Sequence, residues 1–101
     1  MLQIIKQRCY IVTDVFDEEL KSLISAGKID CIQSGISEAV FEKDKDGNYD
    51  AQVLNCITAF VKAHRGNDRS DTEVYMRMYE SIRNKMTQES DYTNKDGGVN
   101  E

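Results

Sequence analysis

Residues 54–92 read LNCITAFVKAHRGNDRSDTEVYMRMYESIRNKMTQESDY. Two amphipathic stretches flank one short Gly66-Asn67-Asp68-Arg69 turn. Val53, Leu54, Ile57, Phe60 and Val61 share one helical face, so the spacing predicts a helix over roughly Asp50 to Arg65. Gly66 stops it. The next helix opens on Ser70-Asp71-Thr72-Glu73, a capping-box pattern in which hydroxyl and carboxylate satisfy free backbone N–H groups. Val74, Tyr75, Met78, Tyr79, Ile82 and Met86 follow at helical spacing. So short a connection predicts that the two helices pack antiparallel as a helical hairpin.

Two further helices are predicted upstream. Leu2, Ile5, Cys9 and Val12 suit a short N-terminal helix, although Cys9 to Val12 also reads as a strand. Thr13 or Asp14 can cap a second helix running from about Asp14 to Ser34. Asp17, Glu18 and Glu19 complement its positive N-terminal end. Its stripe is Phe16, Leu20, Leu23, Ile24, Gly27 and Cys31, widened by Ile29 and Ile32. Gly27 inside that stripe costs ~1 kcal/mol of helix propensity, a cost that close approach of another helix would offset. Gly35 suits the position just past the helix end.

Residues 36–49 are less regular. Val40 and Phe41 form an apolar anchor, and Asp46-Gly47 is a turn signal. A short β-hairpin and a projecting loop both fit this segment. The chain therefore reads as all-α, a small bundle of about four helices in one domain over 1–92, with a flexible polar tail over 93–101.

Composition narrows the function. Hydrophobic residues are 40% and charged residues 31%, which is globular rather than disordered usage. The net charge of −5 disfavours a protein built to grip phosphates, yet suits a surface that DNA passes without sticking. Cys9, Cys31 and Cys56 lie at helical spacing among apolar residues and read as buried, reduced thiols of a reducing cytosol. No apolar run approaches the ~20 residues of a membrane helix, and no secretory signal is read in the N-terminal stretch.

No catalytic, cofactor-binding or metal residue emerges. Glu42 to Asp50 imitates a calcium loop, but Val53 stands where a bidentate Glu is required. His64, the single histidine, has no companion nucleophile or acid by any motif. Tyr75 and Tyr79 share a face and read as core or subunit-contact residues rather than base-stacking ones. An enzyme is not expected. Lys62, His64, Arg65, Arg69, Arg77, Arg83 and Lys85 make one flank basic, whereas Asp14 to Glu19 and Glu38 to Asp50 are acidic. Such segregation is compatible with head-to-tail association, and equally with ordinary solvated helix faces.

The blocks now in view resemble the small head–tail connector proteins of tailed bacteriophages and prophages, also described as adaptor, head-completion or DNA-packaging proteins. They are Asp17-Glu18-Glu19-Leu20-x-x-Leu23-Ile24-x-Ala26-x-x-x-Asp30, then Ser34-Gly35-Ile36. Ala59-Phe60-Val61-Lys62-Ala63-His64-x-Gly66-x-Asp68 follows, then Tyr79-Glu80-Ser81-Ile82-Arg83 and Ser90-Asp91-Tyr92. Arg65 departs from the aromatic residue usual before the glycine, and the 42–50 loop is longer and more charged than the family pattern. The resemblance implies an all-α subunit of a ring of about twelve copies in the virion neck, assembled in the host bacterial cytoplasm. Its implied partners are other copies of itself, the portal, a stopper or tail-completion protein and passing double-stranded DNA. It implies no cofactor and no membrane. A second reading, from another class, is a small acidic regulatory protein, an antitoxin or inhibitor, that binds one partner protein. A helix-turn-helix DNA binder is disfavoured, because Glu73, Glu80 and the Tyr/Met contacts leave no base-reading surface.

Overall fold

The computed structural model describes residues 1–65 and 69–93. It is all-helical: α1 (Leu2–Arg8), α2 (Asp17–Gln33), a 3-10 turn (Glu38–Phe41), α3 (Ala51–Arg65) and α4 (Arg69–Met86). Residues 36–49 contain no strand. Asp44 organises a loop there, its carboxylate accepting from the backbone N–H groups of Asp46 at 2.8 Å and Asn48 at 2.9 Å. The Gly66–Asp68 turn and the tail from residue 94 onward lie outside the described residues.

α3 is the centre of the molecule and packs against α1, α2 and α4. Val53, Cys56, Ile57 and Val61 are fully buried, and Leu54, Ala59, Phe60 and Ala63 nearly so. Asp50 starts it, its carboxylate accepting from the N–H groups of Gln52 and Val53. Against this helix α2 lays Leu20, Ile24, Gly27 and Cys31, all buried. Ile29 and Ile32 do not widen that face; both are exposed. From α4, Tyr79 and Met86 are fully buried, while Val74 and Met78 of the predicted stripe point outward. Phe60 meets Tyr79, and Lys62 lies over Tyr75.

The helix ends explain where boundaries shift. α1 stops at Arg8 rather than reaching Val12. Tyr10 takes the left-handed conformation (φ 59°), its N–H bonding Gln7 O, and the Ile11 N–H bonds Lys6 O at 2.9 Å. These two bonds satisfy the last free carbonyls and turn the chain out of the helix. α2 starts three residues after Asp14, with Phe16 at the capping position and no side-chain cap. The would-be caps are occupied elsewhere. Asp14 pairs with Lys6 of α1, and Thr13 Oγ1 accepts from the Val15 N–H. At the other end of α2, Gly35 (φ 112°) adopts the same left-handed turn, with Ile36 N–H on Cys31 O. α4 already includes Arg69 and Ser70, so Ser70 does not stand ahead of this helix as its cap.

Gly27 is the contact point of α2 and α3. A Cβ there would stand 3.1 Å from Phe60 Cδ1 and 3.2 Å from Ile57 Cδ1. The Phe60 ring cannot easily retreat, because it stacks on His64 (4.1 Å) and meets Tyr79 edge-on (5.0 Å). A leucine at this position must therefore force the helices apart. We expect Gly27→Leu to lower the unfolding free energy by roughly 2 kcal/mol despite its better helix propensity. Gly27→Ala stays within about 1 kcal/mol of the parent, because gain and crowding oppose each other. Urea unfolding of the three proteins checks both values; equal midpoints for Leu and parent contradict the close approach.

Candidate functional site

The polar residues gathered most tightly are Asp30 of α2 with Tyr79 and Arg83 of α4. The Tyr79 hydroxyl donates to Asp30 Oδ2, and Arg83 Nη1 reaches the same oxygen at 2.8 Å. Arg83 also lies over the Tyr79 ring, 5.4 Å from its centroid. Local sequence explains the arrangement. Tyr79 and Arg83 are one helical turn apart on α4, and Asp30 sits on the flank of the α2 stripe beside Gly27 and Cys31. α2 and α4 meet at few points, so this cluster is their main tie.

Burial and the Asp30 carboxylate hold the Tyr79 phenol protonated well above its ordinary range. In return, the hydrogen bond from Tyr79 and the ion pair with Arg83 hold the Asp30 carboxyl below its ordinary pKa. Beneath them Cys31 Sγ stands 3.5 Å from the Tyr79 hydroxyl and 3.9 Å from Cys56 Sγ. The hydrogen bond with Cys31, then burial, push the Cys56 thiol up. The chemistry of the cluster is cohesion: each group neutralises or satisfies another.

The remaining predicted residues are scattered. Cys31 and Cys56 are buried, whereas Cys9 is only half-buried. His64 is exposed, and its Nδ1 lies 2.9 Å from Phe60 O within its own helix, which places the ring proton on Nδ1. Tyr75 is half-buried under Lys62. The basic flank is partly spent inside the molecule. Arg83 pairs with Asp30, and Arg65 contacts Glu19 at 3.4 Å while covering the Phe16 ring. The Arg69 side chain lies outside the description. Among the described residues no three His, Cys, Asp or Glu side chains are placed to hold a metal ion. No helix among them is long and apolar enough to cross a membrane.

Two features were not read from the sequence. One is Lys6, buried yet paired with Asp14 and Asp17 at 2.8 Å each. Those two partners hold its ammonium above the ordinary lysine pKa. The signal was available as a lysine inside an apolar N-terminal stripe followed by carboxylates eight and eleven residues later. The other is Tyr92. Its carbonyl accepts from the Ser37 N–H at 2.8 Å, and its hydroxyl bonds the Asp50 carboxylate. Burial, then Asp50, push its phenol up to about 12. The segment after α4 is thereby fastened to the start of α3.

The low pKa of Asp30 sets a pH dependence. A carboxyl whose folded pKa is depressed contributes stability that is present above its unfolded pKa of about 3.9. That contribution is lost as pH falls through the folded value. Charged hydrogen bonds contribute about 1.5–3 kcal/mol when sheltered. The Asp30 side chain is 43% exposed, so screening brings this toward the lower end. We expect Asp30→Asn to cost about 1–2 kcal/mol at pH 7 and less near pH 2. Thermal unfolding between those pH values checks it; an equal loss at both ends contradicts the assignment.

The family model for phage connector protein matches residues 1–93 of the chain. No curated protein and no solved structure gives a match.

Proposed function

The chain belongs to the phage connector protein family, and from that premise we propose that it is a ring subunit of the neck of a tailed phage. As a family member it is a structural phage protein. In the proposed role, about twelve copies form a ring that joins the portal to the stopper or tail and continues the DNA channel. The protein acts without catalysis, and its place is the virion neck after assembly in the bacterial cytoplasm. The observation that carries this reading is a family match spanning nearly the whole chain.

Several features support it. α3 and α4 form an antiparallel hairpin, as the Phe60–Tyr79 and Lys62–Tyr75 contacts favour. The molecule measures 44 × 30 × 18 Å, a slab suited to packing side by side around an axis. The polar cluster of Asp30, Tyr79 and Arg83 braces α2 against α4. The net charge of −5 disfavours sticking to passing DNA. In this role residues 1–92 act as the connector domain.

Electron microscopy of the protein mixed with portal-bearing capsids tests the role. The expected result is an added ring layer beneath the portal, with subunit mass matching this chain. Capsids that gain no layer, while the protein forms a one-to-one complex with another cytosolic protein, would sink it.

A further inference from the structure

Cys31 of α2 and Cys56 of α3 meet in the core. Both are fully buried, and their sulfurs stand 3.9 Å apart. They sit beside the point where the two helices touch. Gly27 lies one turn before Cys31, and Phe60, which a Gly27 Cβ would meet at 3.1 Å, lies one turn after Cys56. A disulfide between helices needs such an approach, since its two Cβ atoms stand only ~3.8 Å apart. Joined sulfurs are ~2.05 Å apart, so the pair must close by about 1.9 Å from the 3.9 Å found. Rotation about the two Cα–Cβ bonds moves the sulfurs by that order and leaves both helices wound.

The two thiols are not equivalent. The hydrogen bond with Cys56, and after it the Tyr79 hydroxyl at 3.5 Å, outweigh burial and hold the Cys31 thiol below its ordinary pKa. Cys56 is pushed the other way, by Cys31 and by burial. Cys31 is thus the sulfur that ionises first, with Cys56 as the thiol beside it. Cys9 is only half-buried, but burial pushes its thiol up. Polar groups mark a route from solvent to Cys31. The Tyr79 hydroxyl next to it donates to Asp30, whose side chain is 43% exposed. Asp30 and Arg83 help to line an open hollow of about 560 Å3. An oxidant as small as hydrogen peroxide needs only a local opening of these contacts to reach the sulfur.

We propose that Cys31 and Cys56 are a peroxide-sensitive pair that closes to a disulfide and locks α2 onto α3. Cys31 gives its proton to water, and its sulfur attacks one oxygen of hydrogen peroxide. The O–O bond breaks, the departing hydroxide takes up a proton to become water, and Cys31 is left as a sulfenic acid. The Cys56 sulfur then attacks the Cys31 sulfur. The S–O bond breaks, and the hydroxide leaves as water with the Cys56 proton. Two thiols have given up two hydrogens, and one peroxide has become two waters. The new bond joins positions 25 residues apart and so restricts the unfolded chain. In reducing surroundings the pair stays open, and it closes where peroxide outruns reduction. This chemistry is independent of the neck role, which stands or falls separately.

Peptide mapping tests the pair. The folded full chain is treated with dilute hydrogen peroxide, its remaining thiols are alkylated, and it is cut with trypsin. We expect peptides 29–43 and 46–62 to be joined through Cys31 and Cys56, and a reducing thiol to separate them. The thermal midpoint of the oxidised chain rises by about 5 °C or more. Two variants assign the roles. In Cys56→Ser, Cys31 halts as the sulfenic acid and takes up the trapping reagent dimedone. In Cys31→Ser, Cys56 is labelled about tenfold or more slowly. Circular dichroism establishes that both variants fold, and the peptide map of the parent stands without them. Cys31 and Cys56 recovered unlinked overturn the proposal, whether or not Cys9 is oxidised. So do links that run through Cys9 in place of one partner, or an oxidised chain that melts no higher than the reduced one. Labelling of Cys56 as fast as that of Cys31 overturns the order of attack.

Discussion

The architecture depends on α3 being surrounded, and on Gly27 letting α2 come close enough to touch the Phe60 ring. From that ring the contacts run onward: edge-on to Tyr79, then through the Tyr79 hydroxyl to Asp30, back on α2. Three helices are thus closed into one circuit by two aromatic rings and one carboxylate. Apolar burial along α3 provides most of the stabilisation. The circuit fixes how α2 and α4 sit around it, since they otherwise meet at few points.

How much of this could be read beforehand depends on whether the determining contact is local. α3 was legible because its burial follows the 3.6-residue period, from Val53 through Leu54, Ile57, Phe60 and Val61. Gly35 was legible because a glycine just past an apolar stripe has one common use. Gly27 was legible as a close approach, though not its partner. The start of α2 was misread because Asp14 has a stronger partner in Lys6, on another helix. Ile29 and Ile32 were misplaced because an apolar residue on an open helix face looks, in sequence, like a wider core. Asp30, Tyr79 and Arg83 each stood in the blocks that carry the family resemblance, yet their convergence spans 49 and 53 residues. No local period encodes such a pairing.

The same distinction bears on function. Several groups that sequence alone offers to a partner are consumed internally. Arg83 answers Asp30, and Arg65 answers Glu19. Asp44 closes its own loop, and Tyr92 ties the end of the described chain to Asp50. What remains outward is a braced scaffold that exposes Tyr10, Val12 and Val15. A protein of this kind acts by holding a fixed shape against its neighbours, and the internal polar ties keep that shape from yielding.

The most direct test of that circuit is a double-mutant cycle between Asp30→Asn and Tyr79→Phe, read by urea unfolding at pH 7. If the hydroxyl and the carboxylate stabilise each other as described, the single losses are not additive, and the coupling is about 1 kcal/mol or more. Losses that add to within ~0.3 kcal/mol would contradict it, and the Arg83–Asp30 ion pair would then be the polar tie left between α2 and α4.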